Sequence, residues 1–300
     1  MKAEEQARAD IVEVGRRLWE RGYVASNDGN ISVRLDEHRL ITTPKSVSKG
    51  FMTPDMMVIT DLDGKKISGQ RDPSSELKMH LEVYRNRPDA RAVVHAHPPT
   101  ATGFAVAGIP LDRPVLAEVI TTLGSIPIAA YATPSTEELP AAVRKYVKAH
   151  DGLLLANHGA LAIGPDVMSA YYRMETIEHF ARISLVARTL GREHLLSRDE
   201  VERLQGLRGM YGIASPAPIC ADDEIQASGG QLECQVVQAP QSEERLVPNN
   251  LSAFTLRAST FAPGASADKP ADKPAVIDGE IRLTYRELSA LIEDALRALK

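Results

Sequence analysis

Val93-Val94-His95-Ala96-His97-Pro98-Pro99 is the stretch from which the fold can be read. The two valines mark the end of a buried strand, and the two prolines stop its hydrogen-bond ladder. His95 and His97 stand two apart, so on an extended backbone their imidazoles project to the same face. Downstream, Gly152-Leu153-Leu154-Leu155-Ala156-Asn157-His158-Gly159 is a second apolar strand that ends on a histidine. His95, His97 and His158 together make a three-histidine set, which binds zinc or a similar divalent ion and leaves a position open for substrate. Any one of them taken singly reads as a core histidine bonded to backbone. A His-x-His pair plus a third at another strand end favours the metal.

Upstream of this stretch, Ile11, Val14, Leu18 and Trp19 form a helical stripe within residues 4–22 that stops at Gly22. Ser26-Asn27-Asp28-Gly29-Asn30-Ile31-Ser32-Val33 is a turn cluster feeding a strand, and its short polar side chains suit an anion site as well as a simple tight turn. Leu40-Ile41-Thr42-Thr43 is a strand running into Pro44-Lys45-Ser46, where a lysine and a hydroxyl could hold a phosphate or carboxylate, or merely face solvent. Met57–Asp61 with Asp63-Gly64 reads as a strand and hairpin turn. Pro73-Ser74-Ser75-Glu76-Leu77 opens a helix striped by Leu77, Leu81 and Tyr84. Ser74 is its expected N-cap, Ser74 and Ser75 beside free N–H groups make an anion seat, and Glu76 falls in the first turn. A carboxylate there suits the helix dipole in any case, so a functional Glu76 depends on the histidines lying nearby.

Downstream come a Gly108-Ile109-Pro110 turn, a strand at Ile126-Pro127-Ile128, and a helix opened by a Ser135-x-x-Glu138 capping box and ending near Asp151-Gly152. After His158 a long helix is expected from the Asp166 cap to Gly191, and a last one over about 198–208. His38, His80, His150, His179 and His194 have no partner spacing and read as ordinary surface or flank residues. Helices on both sides of a largely antiparallel set of strands predict a layered α/β fold.

The formal charge of −5 is uneven: residues 1–213 carry 27 basic and 27 acidic side chains, and 214–300 carry 8 and 13. With no basic stripe, nucleic acid is not an expected partner. No apolar run is long enough for a membrane span, and the polar N-terminus lacks a signal-peptide core, so a cytoplasmic protein is expected. Cys220 and Cys234 suggest neither a disulfide framework nor a cysteine metal site. Residues 214–272, rich in Pro, Ala, Ser, Gln and Asp without periodicity, read as a disordered linker, and 273–300 as a hairpin followed by a helix.

Gly-Asn-Ile-Ser, Ser-Ser-Glu, His-Ala-His-Pro, Tyr-Ala-Thr and Asn-His-Gly occur in one order along residues 1–213, which resemble the class II aldolase/adducin-like family, whose type member is L-fuculose-phosphate aldolase. The resemblance implies a three-layer α/β/α catalytic domain, a homotetramer with active sites at subunit interfaces, and a phosphorylated sugar as substrate. It implies His95, His97 and His158 as ligands of Zn2+ (or Mn2+ or Co2+) and Glu76 as catalytic acid/base. Asn30, Ser74 and Ser75 would hold the substrate phosphate, with Asn27, Lys45 and Ser46 at related loop positions, and Tyr211 matches a C-terminal tyrosine used near the site. The implied reaction is reversible aldol cleavage of a phosphorylated ketose through a metal-stabilised enediolate. Decarboxylation, dehydration, epimerisation or a non-catalytic adducin-like binding role are the alternatives within the family. Pro114-Val115-Leu116-Ala117-Glu118 departs from the aldolase pattern, which has a tyrosine around this position. The last thirty or so residues resemble the opening of acyl-adenylate-forming enzymes without the Gly-rich phosphate loop that adenylation requires.

Overall fold

The structure, a computed structural model, describes residues 3–213. The segments read from sequence as a linker (214–272) and as an adenylation-like fragment (273–300) lie outside the described residues. Eight strands form one sheet: β1 (Asn30–Arg34), β2 (Arg39–Thr42), β3 (Val58–Asp61), β4 (Lys66–Ser68), β5 (Ala92–Ala96), β6 (Ile128–Ala129), β7 (Gly152–Leu155) and β8 (Gly159–Gly164). Their order is β4-β3-β2-β1-β5-β8-β7-β6, and every pairing except β6 with β7 is antiparallel. The fold class is therefore as expected, a three-layer α/β/α arrangement.

Seven helices flank the sheet: α1 (Ala3–Glu20), α2 (Leu77–Asn86), α3 (Pro99–Ala107), α4 (Ala117–Thr122), α5 (Glu138–Arg144), α6 (Val167–Thr189) and α7 (Arg198–Gly206). The period-two alternation of the central strands decides which helices lie where. Val94 and Ala96 of β5 join Ile11, Val14 and Leu18 of α1, Phe104 of α3 and Met174 and Ile177 of α6 in one core. Val93 and Leu161 face the other way, with Leu77, Leu81 and Tyr84 of α2 and Leu139 and Val143 of α5. His95 and His97 share the parity of Val93, so they emerge on the side that carries α2.

Several local expectations need correction. β8 is absent from the sequence reading because Gly-Ala-Leu-Ala-Ile-Gly is buried on both faces and shows no alternation. α3 and α4 were also not foreseen: Pro98 and Pro99, read only as ladder terminators, cap and open α3, since proline suits a helix N1 position. The Ser135–Glu138 box does not form. Ser135 takes φ +66°, and Glu138 instead accepts from the Thr133 N–H at 3.1 Å. α5 ends at Arg144, well short of Asp151. Trp19 leaves the α1 core stripe and packs edge-on against Phe51, their centroids 5.2 Å apart. His80 and His150 are buried rather than surface residues. Ser32 Oγ is 2.7 Å from His80 Nδ1, and the Ser125 carbonyl is 3.2 Å from His150 Nδ1. Among the described residues no helix is long and apolar enough to cross a membrane.

Candidate active site

His95 is the fourth residue of β5 and fully buried, and His97 follows one residue past the strand end. Hydrogen bonding of the His97 N–H to the Tyr23 carbonyl at 2.9 Å carries the extended backbone past the ladder and keeps the two imidazoles on one face. His158 reaches them from the β7–β8 turn rather than from a strand, which corrects the sequence reading. The turn is made by Asn157 in the left-handed region (φ +55°) and by a bond from the His158 N–H to the Leu155 carbonyl at 3.0 Å. Gly159 is required by close approach: a Cβ there would lie 2.6 Å from both the Ala96 carbonyl oxygen and His97 Cδ2.

The three rings close into a triangle with centroids 4.7 to 5.1 Å apart. One nitrogen from each lies within 4.8 Å of the others. Glu76 completes the cluster, its Oε2 3.4 Å from His95 Nε2 and its Oε1 3.2 Å from His158 Nε2. Glu76 is the N-cap position of α2 rather than a first-turn residue, and Ser74 is not the N-cap. The Ser74 hydroxyl accepts from the Glu76 N–H at 3.3 Å, a local turn that delays helical hydrogen bonding to Leu77. Asn30 stands opposite His95 in the β1–β5 register and donates to Glu76 Oε2 at 2.8 Å.

Charge and burial at this cluster fit a divalent cation. His95 donates from Nδ1 to the Ala160 carbonyl at 2.9 Å, and burial pushes its pKa down to about 3, so the ring is neutral with a bare lone pair on Nε2. That lone pair faces His97 Nε2 at 3.2 Å and the Glu76 carboxylate. Burial also lowers His97. For Glu76 burial works upward, but His95 and His158 in their protonated forms, together with the Asn30 amide, outweigh it and hold the carboxyl well below its ordinary range. Asn30 Oδ1 is buried without a hydrogen-bond donor, and Glu76 Oε1 has only His158 Nε2 beside it. Converging lone pairs and an ionised carboxylate with too few protons between them are what a bound cation would satisfy.

The cluster forms one wall of a cavity of about 260 Å³. All six residues expected at the anion seat, Asn27, Asn30, Lys45, Ser46, Ser74 and Ser75, line it together with Glu76, His97 and His158. Two loops far apart in sequence meet there through a bridge between Pro44 and Pro73, reinforced by Lys45 N–H to Asp72 carbonyl (2.9 Å) and Ser74 N–H to Thr43 carbonyl (3.1 Å). The four non-glycine residues at positive φ among the described residues are Ser26, Ser46, Ser135 and Asn157. Ser46 and Ser135 line the cavity and the other two are neighbours of Asn27 and His158, a concentration of backbone strain typical of functional sites.

Tyr211 is not among the residues of its own chain that line this cavity; it lies about two-thirds exposed at the end of a 3-10 helix (Arg208–Tyr211) after α7. Glu118 lines a separate cleft of about 400 Å³ with Arg21, Glu175 and His179, which holds none of the three histidines. Sequence reasoning passed over Lys49 and Asp28, both of which line the site. Lys49 is 2 % exposed, and burial lowers its pKa to about 8. Its only sequence signal is a lysine between Val47 and the apolar Phe51-Met52 pair, which is no stronger than that of a solvated loop.

The family model for the class II aldolase and adducin N-terminal domain matches residues 9–185. A 5-deoxy-D-ribulose 1-phosphate aldolase of Bacillus thuringiensis is 36% identical over 210 residues, covering 69% of this chain and 98% of its own. A 3-oxo-tetronate 4-phosphate decarboxylase of Pectobacterium atrosepticum is 30% identical over 190 residues, covering 62% of this chain and 87% of its own. Among solved structures, YgbL of Klebsiella pneumoniae, described as a putative aldolase/epimerase/decarboxylase, superposes with a TM-score of 0.63 at 30% identity, covering 67% of this chain and 98% of that one.

Proposed function

The chain belongs to the class II aldolase and adducin N-terminal domain family, and on that premise we propose that it is a metal-dependent aldehyde-lyase that reversibly cleaves a phosphorylated ketose, with Glu76 moving the proton. The observation that carries the reading is the meeting of three histidine nitrogens, one ionised carboxylate and a cavity lined by hydroxyls, amides and two lysines at a single point. His95, His97 and His158 would hold the ion, Zn2+ or else Mn2+ or Co2+. Bound there, it would act as a Lewis acid on the substrate carbonyl.

The chain's own residues do the rest. Ser74, Ser75 and Asn30, with Asn27, Lys45 and Ser46 around them, hold the phosphate and so fix the far end of the substrate. Glu76 stands on the same short segment as Ser74 and Ser75, so base and phosphate seat move as one unit. C–C cleavage leaves a carbon that must gain a proton, and Glu76 delivers one that it has first taken up from solvent water in the cavity, returning to the ionised form. In the synthetic direction the ionised carboxylate removes the same proton and passes it back to water. Asn30 keeps the carboxylate aimed at the histidines through its 2.8 Å bond. The substrate hydroxyl needs its own base, and Tyr211 fits that task only from a neighbouring subunit, in keeping with a homotetramer whose sites lie between subunits. A cytoplasmic location accords with a sugar-phosphate substrate.

Decarboxylation of a phosphorylated 3-oxo acid is the second reading, supported by the decarboxylase relatives. It leaves the same kind of carbon for Glu76 to protonate, so the two reactions differ in the leaving group alone. Ketose 1-phosphates and 3-oxo acid phosphates offered in parallel to the metal-loaded protein separate them by release of an aldehyde or of carbon dioxide. Glu76→Gln keeps the shape but removes the base, and kcat should fall by about 10²–10⁴-fold with metal content intact. Turnover at the wild-type rate would remove Glu76 from the reaction.

A further inference from the structure

The loop between α1 and β1 supplies a carboxylate on the outer side of the histidine triangle. Asp28 Oδ2 lies 3.3 Å from Nδ1 of His97, while Nε2 of the same ring faces His95 at 3.2 Å. The loop is held in place from several directions. The Asp28 N–H donates to the Ala25 carbonyl at 2.8 Å, and Lys49 Nζ donates to the carbonyls of Asn27 at 3.0 Å and Val47 at 2.7 Å. Gly29, at φ +71°, presses the loop onto β5: a Cβ there would lie 2.8 Å from the His95 carbonyl oxygen. A buried lysine thus anchors the residue next to Asp28, and the aspartate has little freedom to swing away.

The three histidines differ in their outer partners. His95 Nδ1 meets a backbone carbonyl, His158 Nδ1 is buried without a partner, and His97 Nδ1 meets a carboxylate. An ionised carboxylate only accepts hydrogen bonds, so the hydrogen of His97 stands on Nδ1 and the lone pair on Nε2. The opposite tautomer would turn a nitrogen lone pair toward the Asp28 oxygens. Resting on the metal-dependent reading above, we propose that Asp28 is a positioning residue of the metal centre: it fixes the tautomer and ring orientation of His97 and makes Nε2 a stronger donor to a divalent cation. A half-exposed hydrogen bond to a carboxylate with no such task would contribute little to anything measurable.

The test uses the full chain stripped of metal and titrated with Co2+ alone. Absorption bands of the ion report its ligand geometry, and competition with a chelator gives affinity. Wild type should bind one Co2+ per chain. Asp28→Asn should bind it about 10–100-fold more weakly, with shifted bands and an unchanged melting temperature of the metal-free protein. Asp28→Glu, which restores an anionic acceptor, should recover most of the affinity. Wild-type affinity and bands in Asp28→Asn would overturn the proposal. So would a weaker affinity that comes with an equally lowered melting temperature, because Asp28 would then be supporting the loop and not the ring. Failure of the wild type itself to bind Co2+ would instead sink the metal-dependent reading on which this one rests.

Discussion

The two ends of the strand trio β5, β8 and β7 both bury charge, and they treat it in opposite ways. At the end where β5 and β7 begin, Arg87 bonds Asp151 at 2.9 Å, Asp89 at 2.7 Å and the Val147 carbonyl at 3.0 Å, and Arg173 adds a contact to Asp151 at 3.1 Å. Every buried charge named there has an opposite charge beside it. At the other end, His95, His97, His158 and Glu76 bring nitrogen lone pairs and a carboxylate together, and the buried Lys49 in the same cavity wall feels Glu76 electrostatically without forming an ion pair with it. One cluster pairs opposite charges and holds the strands; the other gathers nitrogen and oxygen donors that could hold a metal ion. A buried cluster therefore reads as a candidate site when its members are converging donor atoms, and as scaffold when they are opposite charges paired with one another.

Removing one of the three histidines should disable the donor cluster without touching the ion-paired end. His158→Ala, half-buried on a turn, should lose bound metal and all measurable turnover while circular dichroism stays native. Full metal occupancy by elemental analysis would remove the contrast between the ends. The opposite experiment is Arg87→Met, which leaves Asp151 buried and short of one partner. It should lower stability by about 3–5 kcal/mol in urea unfolding while metal stoichiometry, and kcat per folded molecule, stay near wild type. A loss of metal without a loss of stability would mean the two ends are not separable.

The smallest effect is in the pH dependence of stability. His80, behind the histidine end, and His150, beside Asp151, are both pushed down from 6.5 to about 4 by burial. Between those values the unfolded chain takes up protons that the folded chain refuses, so stability is full above about pH 6.5 and is lost as pH falls toward 4. His150→Gln should reduce the slope of metal-free stability against pH in this window by up to about 1.4 kcal/mol per unit. An unchanged slope in urea titrations at several pH values would show that His150 is not kept neutral by the fold.

The amino-acid sequence by itself determined the layered α/β class and picked out the three clustered histidines and the polar loops that line the cavity, because each depends on short-range regularities. A two-residue spacing on a strand places His95 and His97 on one face without help from the rest of the chain. Turn residues at 26–30, 44–46 and 73–76 announce loops that carry polar groups. Tertiary structure alone decided what these pieces touch. β8 was hidden because a strand buried on both faces has no alternation to read, and α3 because nearly all of it is apolar or small. The helix dipole gave Glu76 an equally good reason to be there without any function. Only the β1–β5 register, which sets Asn30 against His95, and the packing of α2 on that face brought its carboxylate to the histidines. Asp28 and Lys49 were out of reach for the same reason. The distances from Asp28 to His97 and from Lys49 to Asn27 span 69 and 22 residues of sequence, and no local pattern encodes a contact closed by the folding of the whole sheet.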